Sequence, residues 1–172
     1  MNVNRDVIYS NPDEPFRVGK ATWHRTQEWM RKPVCSECEC GWAEPVPPYR
    51  ISLPARIYDF IWIDFWNNVF ITENTRRIFE EAGLTGFSPQ AVEVVKVRSK
   101  HPPEIMPKIW ELGVYGKGGV PDPSCGRKLH EQCPKCGSKF YTSFNKGIKI
   151  DPKQWDGSDF FWPRNRHAIV YH

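Results

Sequence analysis

The strongest constraint on this 172-residue chain is a pair of cysteine knuckles that lie nearly a hundred residues apart. The first reads Cys35-Ser36-Glu37-Cys38, followed closely by Cys40-Gly41-Trp42, and the second reads Cys133-Pro134-Lys135-Cys136-Gly137. A Cys-x-x-Cys pair grips one metal ion from a tight turn, and two pairs supply the four thiolates of a closed tetrahedral zinc site. The second knuckle is the more specific of the two. Its proline fixes φ after the first cysteine, and its glycine tolerates the left-handed turn that points backbone N–H groups at the sulfurs. Four thiolates leave no position open for water or substrate, so the spacing predicts one structural zinc ion and no catalytic metal. Iron in a rubredoxin-like site would use the same ligands.

The expected ligands are Cys35, Cys38, Cys133 and Cys136. In the first knuckle Cys40 is an alternative to Cys38 as the partner of Cys35, because the run Cys-Ser-Glu-Cys-Glu-Cys-Gly offers both spacings. A self-contained set of Cys125, His130, Cys133 and Cys136 is a weaker alternative, since it would leave the first Cys-x-x-Cys without a purpose. A redox role would need a βαβ context that neither knuckle has.

Composition narrows the class further. Hydrophobic residues make up 40% of the chain and aromatic residues 14%, enough apolar surface to predict a folded chain. Sixteen prolines and twelve glycines call for many turns and short elements, which argues against a helical bundle. No run of 18 apolar residues offers a membrane span, and Met1–Asp6 carries no apolar segment of a secretory signal. Six cysteines without an export signal read as reduced thiols and metal ligands, so the expected compartment is the cytoplasm. The net charge of +4 is mild and scattered, less concentrated than a dedicated nucleic-acid binder would carry.

The expected organisation is a single domain over residues 1–172, with knuckles at 35–41 and 133–137 and a strand–helix–strand core within 42–132. Ile57–Trp66 is too aromatic and β-branched for a surface helix and reads as a buried strand. The helix is expected over about 72–82. Thr72 is its N-cap and Glu73 lies in its positive first turn. Ile71, Thr75, Ile78, Phe79 and Ala82 share one face, and Glu73/Arg77, Arg76/Glu80 and Arg77/Glu81 pair on the other. Gly83 provides a left-handed stop, with Leu84 folding back on Phe79. Ala91–Arg98 and Ile109–Tyr115 alternate like strands, while Phe140–Thr142, Gly147–Ile150 and Ala168–Tyr171 are shorter candidates. Gly116–Pro123 reads as an irregular loop. The predicted class is therefore α+β: a small mixed or antiparallel sheet with one clear helix, stapled by a zinc-ribbon-like two-knuckle site.

At Leu112–Gly119, at the second knuckle and above all at Asp151–Trp162, the chain resembles the double-CxxCG motif family of myxobacterial proteins. Gln154-Trp155-Asp156-Gly157-Ser158-Asp159-Phe160-Phe161 is the most specific piece, and the likeness spans most of residues 33–171. Phe70–Val95, with Arg77, Gly83, Leu84, Thr85, Gly86 and Val92, fits the helix and strand that precede it in that family. Characterised members are immunity proteins against contact-delivered toxins. The resemblance thus implies a protein that neutralises a cognate toxin by stoichiometric binding.

No nucleophile–base arrangement and no paired carboxylates stand out, so no catalytic residue is assigned and an enzyme is not expected. Asp156, Asp159 and His167 lie close together in sequence, but Asp156-Gly157 reads as a tight turn capped by Ser158 and Asp159. Trp155, Phe160 and Phe161 read as buried anchors. Candidate partner-binding residues are Lys117 in the Gly116–Pro123 loop, together with Arg164, Arg166 and His167. The alternative reading is a zinc ribbon that binds nucleic acid through Lys135, Lys139, Phe140 and Tyr141.

Overall fold

The structure is a computed structural model that describes residues 19–31, 34–39, 41, 43–63, 68–142 and 146–163, and the backbone of 169–171. Its centre is a closed six-stranded barrel. In chain order the elements are β1 (Gly19–Trp23), β2 (Trp29–Arg31), β3 (Ala43–Pro45), β4 (Tyr49–Pro54), β5 (Phe60–Ile63), β6 (Val69–Thr72), α1 (Glu73–Glu81), β7 (Phe87–Arg98) and β8 (Ile109–Val114). The barrel runs β1-β4-β7-β8-β6-β5 and closes back on β1. Two of its six joints, β1–β5 and β4–β7, are parallel, and the others are antiparallel. Among the described residues the chain is thus mostly sheet with one α-helix. The barrel takes its sixth strand from ahead of the first knuckle, so the segment between the knuckles does not close it alone.

Period-2 alternation decides which side chains fill the barrel. Ala21, Ile51, Leu53, Ile61, Ile63, Phe70, Val94, Val97 and Ile109 form one buried cluster, each 9% exposed or less. Strand β6 is buried on both faces. Phe70 points into that cluster, while Val69 and Ile71 join Leu112 in a second one beneath the helix, beside Phe60, Phe79, Phe87, Trp110 and Phe160. This explains the unbroken apolar run at Val69-Phe70-Ile71.

The helix starts where expected. Thr72 Oγ1 accepts the Thr75 N–H at 3.3 Å. It stops as expected too: Gly83 sits at φ +67°, its N–H donates to Glu80 O at 3.0 Å, and Leu84 N–H donates to Phe79 O at 3.0 Å. The details of its faces differ. Ile78 is 50% exposed, because the contact stripe is centred on Thr75 and Phe79 and Ile78 falls at its edge; Ala82 is exposed as well. Glu73 pairs with Arg76 at 2.9 Å in place of Arg77, since Arg76 lies 4.6 Å above the Trp110 ring whose Nε1 also donates to Glu73. Arg76 and this indole N–H hold the Glu73 carboxyl down to about 2. Arg76 also pairs with Glu80 and Arg77 with Glu81, as expected.

Five further strands follow among the described residues: β9 (Gly116–Lys117), β10 (Leu129–Gln132), β11 (Lys139–Thr142), β12 (Phe161–Trp162) and β13 (Ile169–Tyr171). The Gly116–Pro123 loop is less irregular than its glycines suggest, because β9 pairs in parallel with β12. Gly147–Ile150 forms no strand and touches Pro121 through a single bridge at Ile150. Ile57–Tyr58 precede β5 without joining it, and residues 64–66 of the expected strand lie outside the described residues.

The segment 154–162 is a strap fastened across two loops. Asp159 Oδ2 accepts the N–H and hydroxyl of Thr85, each at 2.9 Å, and Phe160 N–H donates to Thr85 O at 3.0 Å. Asp156 Oδ2 accepts the Lys117 N–H at 2.7 Å, and Gln154 Oε1 accepts the Val120 N–H at 3.0 Å. Glycines make the approach possible. A Cβ at Gly86 or Gly116 would lie 2.1 Å from Phe160 O, and one at Gly119 would lie 2.3 Å from Gln154 Cβ. Trp155, Phe160 and Phe161 are half-buried. Phe160 packs on Phe79 and Phe87 at 5.0 and 5.2 Å, on the helix side of the barrel.

Candidate metal centre

Each knuckle sits at the tip of a two-stranded ribbon. The first lies between β2 and β3, which pair antiparallel from Trp29↔Pro45 to Arg31↔Ala43. Gln27, 5% exposed, fixes the base of this ribbon to the barrel: its Nε2 donates to Val46 O at 2.8 Å and its Oε1 accepts the Arg50 N–H at 2.6 Å. Trp29 packs edge-on against Trp23 of β1. The second knuckle lies between β10 and β11, where Gln132 pairs with Lys139 and Cys133 N–H donates to Ser138 O at 2.8 Å.

The two tips meet. Cys35, Cys38, Cys133 and Cys136 bring their sulfurs within 4.8 Å of one another, and this cluster could hold a metal ion. Cys35 Sγ is 3.9 Å from Cys133 Sγ, and Cys38 Sγ is 3.6 Å from Cys136 Sγ. These separations are far beyond the roughly 2.05 Å of a disulfide. Four sulfurs bound about 2.3 Å from a common tetrahedral centre would stand about 3.8 Å apart. The donor set therefore fits a closed four-thiolate metal site.

The turns favour thiolates. Backbone N–H groups of Cys38 and Glu37 hold the Cys35 thiol below its ordinary value. The hydroxyl of Ser138, with Oγ 3.1 Å from Cys136 Sγ, and its backbone N–H bring Cys136 down to about 6. Cys133 differs. The Cys136 N–H pulls it down, but burial and the neighbouring cysteine side chains push it up to about 11. A sulfur 1% exposed and crowded by other sulfurs is poorly placed to carry its charge without a counter-ion. Lys135 Nζ donates to Ser36 Oγ, adding a polar link between the tips.

Two contributors were not visible as such in the sequence. Ser138 acts on Cys136 from two residues downstream, a place with no motif signal. Glu39 sits at φ +54°, the one non-glycine residue of positive φ among the described residues, in the place that Gly137 (φ +73°) fills in the second knuckle. Superposing Cys35–Glu39 on Cys133–Gly137 would have pointed to it.

The other candidates stand elsewhere. Cys125 is fully buried but apart from the cluster: its sulfur accepts the Lys149 N–H at 2.9 Å and anchors a 3₁₀ turn at Pro123–Cys125. His130 is exposed on β10. Cys40, Arg164, Arg166 and His167 lie outside the described residues. Lys117 extends an exposed side chain from β9, flanked by Tyr115 at 64% and Val120 at 42% exposure. Of the strip suggested for nucleic acid, Phe140 is 2% exposed and Tyr141 is half-buried with Arg127 4.3 Å from its ring centre. That pair presents no open platform for base stacking. Among the described residues, no helix is long and apolar enough to cross a membrane.

Fold and site together define a mixed six-stranded barrel carrying two cysteine-tipped ribbons. Compared with protein-family models, curated proteins and solved structures, the chain finds no match in any of the three.

Proposed function

We propose that this chain is a zinc-stapled, zinc-ribbon-like protein of the immunity type, working in the cytoplasm to neutralise a cognate toxin by stoichiometric protein–protein binding. The observation that carries this reading is the strap. Gln154–Phe161, the segment behind the resemblance to immunity proteins, directs Gln154, Asp156 and Asp159 at backbone N–H groups of the two glycine-containing loops it crosses. Those loops, at Thr85–Gly86 and Gly116–Gly119, belong to the other stretches that carry the same resemblance. Residues far apart in sequence thus serve one fastening. Ser158 hydroxyl and N–H, with the Lys117 N–H, keep the Asp156 carboxyl below the usual carboxylate range, as suits an acceptor held in a turn.

The metal, once bound, would cross-link the two ribbon tips through Cys35, Cys38, Cys133 and Cys136, a purely structural contribution. Binding then depends on exposed anchors. The Tyr115–Val120 segment offers them, with Lys117 between two exposed apolar side chains on a loop held rigid by the strap. The test is co-expression with a candidate toxin, sought among the genes that neighbour this one in its native host. The toxin alone should arrest growth, and the chain should restore it and co-purify with the toxin in equal amounts. Unprotected growth arrest would refute the proposal.

A further inference from the structure

The helix packs over β6, β8 and the start of β7 at Phe87. Further round the barrel, β1, β4 and the end of β7 set their outward polar side chains side by side. Thr22 stands opposite Ser52, and Ser52 stands opposite Lys96. One step along, Pro54 stands opposite Arg98, whose guanidinium reaches over to Lys20 O at 3.0 Å. The side chains between these positions, Ala21, Ile51, Leu53 and Val97, fill the barrel, so the polar ones have only the outside to face.

Thr22, Ser52, Lys96 and Arg98, with Trp23–Arg25 at the end of β1, line an open depression of about 520 Å³. Arg25, Lys96 and Arg98 give it three cations, and Thr22 and Ser52 contribute hydroxyl groups, while the Trp23 side chain packs against the barrel core. Ser52 is 7% exposed and lies at the floor. Trp23 Nε1 is buried with no hydrogen-bond partner among the described residues. Among the described residues, no acidic side chain lines the depression. The nearest one on β7, Glu93, is held by Arg50 at 2.8 Å. A concavity rich in donors and cations and free of acids recognises anions.

We infer that this face is a docking site for an acidic segment of a protein partner, its carboxylates seated between Arg25, Lys96 and Arg98. Charge complementarity selects the occupant. Two observations favour a polypeptide over nucleic acid. The aromatic residue there, Trp23, packs against the barrel core and against Trp29, Tyr49 and Phe70, so its ring is engaged within the protein and offers no open platform for stacking a base. The exposed Trp62, 42% accessible and paired with Lys20 on the next strand, supplies an apolar anchor of the kind that interfaces use. The site goes beyond the neutralisation proposal and stands without it.

The test uses the full metal-loaded chain and two labelled probes of similar charge, a deca-glutamate peptide and a ten-nucleotide oligothymidylate. The peptide should bind, and binding should weaken as salt is raised. The double variant Arg25→Glu/Lys96→Glu should weaken it by about tenfold or more, while Lys135→Glu/Lys139→Glu at the second knuckle should leave it unchanged. Melting temperature and metal content, measured on both variants, show whether the fold is intact; if Arg25→Glu/Lys96→Glu unfolds, Arg25→Gln/Lys96→Gln takes its place, with a smaller loss expected. Peptide binding that is absent, or indifferent to these substitutions in a folded protein, overturns the inference. Tighter binding of the oligonucleotide, lost in the same variant, overturns it in favour of nucleic acid. Neither result bears on whether the chain protects against a toxin.

Discussion

The two knuckles share a backbone and differ in the residues that build it. In the second, Gly137 takes the left-handed conformation after Cys136, and its N–H donates to Cys133 O at 2.9 Å. In the first, Glu39 does the same after Cys38, with its N–H donating to Cys35 O at the same 2.9 Å. A left-handed residue with a Cβ costs about 1–2 kcal/mol, and glycine avoids that cost. The first knuckle accepts the strain although Gly41 is only two residues away. The convergence of four sulfurs, and not local preference, therefore sets the turn. Gly41 has another use: a Cβ there would lie 2.7 Å from Val34 Cγ2 and 3.1 Å from Val34 Cα.

If metal geometry governs both turns, losing any ligand should undo both. Cys133→Ser and Cys35→Ser are each expected to abolish metal binding and to destabilise the chain by on the order of 5 kcal/mol, since metal-binding energy in such sites is folding energy. At this chain length that corresponds to a fall of about 10–20 °C in melting temperature. Thermal melts with and without a chelator check it: chelation should lower the wild type to the level of the variants and leave the variants where they are. A variant that still binds metal and melts like the wild type would show that the two knuckles do not share one ion.

Gly41→Ala comes next, with an expected loss of about 1–2 kcal/mol from crowding against the Val34 backbone. Denaturant titration measures it, and an unchanged midpoint would mean that Val34 yields freely. The sharpest contrast is the exchange at the left-handed position. Gly137→Glu should destabilise by about 1–2 kcal/mol, since its Cβ would meet nothing within 4 Å and only backbone strain is added. Glu39→Gly should stabilise by somewhat under 1 kcal/mol, because glycine's greater freedom in the unfolded chain offsets part of the relief. Equal signs for the two exchanges would break the equivalence of the knuckles. The smallest effect is expected from Cys40→Ser, which should keep the full metal content and shift stability by less than about 0.5 kcal/mol.

How much of this was legible in the sequence follows from how local each signal is. The helix start at Thr72 and stop at Gly83 were readable because a cap is a matter of a few adjacent residues. Ile78 was misjudged because the tilt of the helix on the barrel, set by Phe79 meeting Phe60, Phe87 and Phe160, leaves no trace in its periodicity. Barrel closure was invisible. The parallel joints β1–β5 and β4–β7 bring together segments separated by dozens of residues, with no turn chemistry to announce them. The four converging ligands were readable from spacing alone. The choice between Cys38 and Cys40 was not, because the sequence puts glycine after Cys40 while the structure puts the left-handed turn at Glu39 and brings Cys38 to 3.6 Å from Cys136. The strap's segments were recognisable one by one; that Gly86, Gly116 and Gly119 all yield space to the same strand of chain required their positions in the fold.

The central claim, one zinc ion shared by the two ribbon tips, is tested most directly by metal analysis with X-ray absorption at the zinc edge on protein purified from its native host. The expected result is one zinc per chain with four sulfur neighbours at about 2.3 Å, reduced to an incomplete shell or lost in Cys38→Ser and unchanged in Cys40→Ser. A protein without bound metal, or a zinc ion with nitrogen or oxygen among its four ligands, would contradict it.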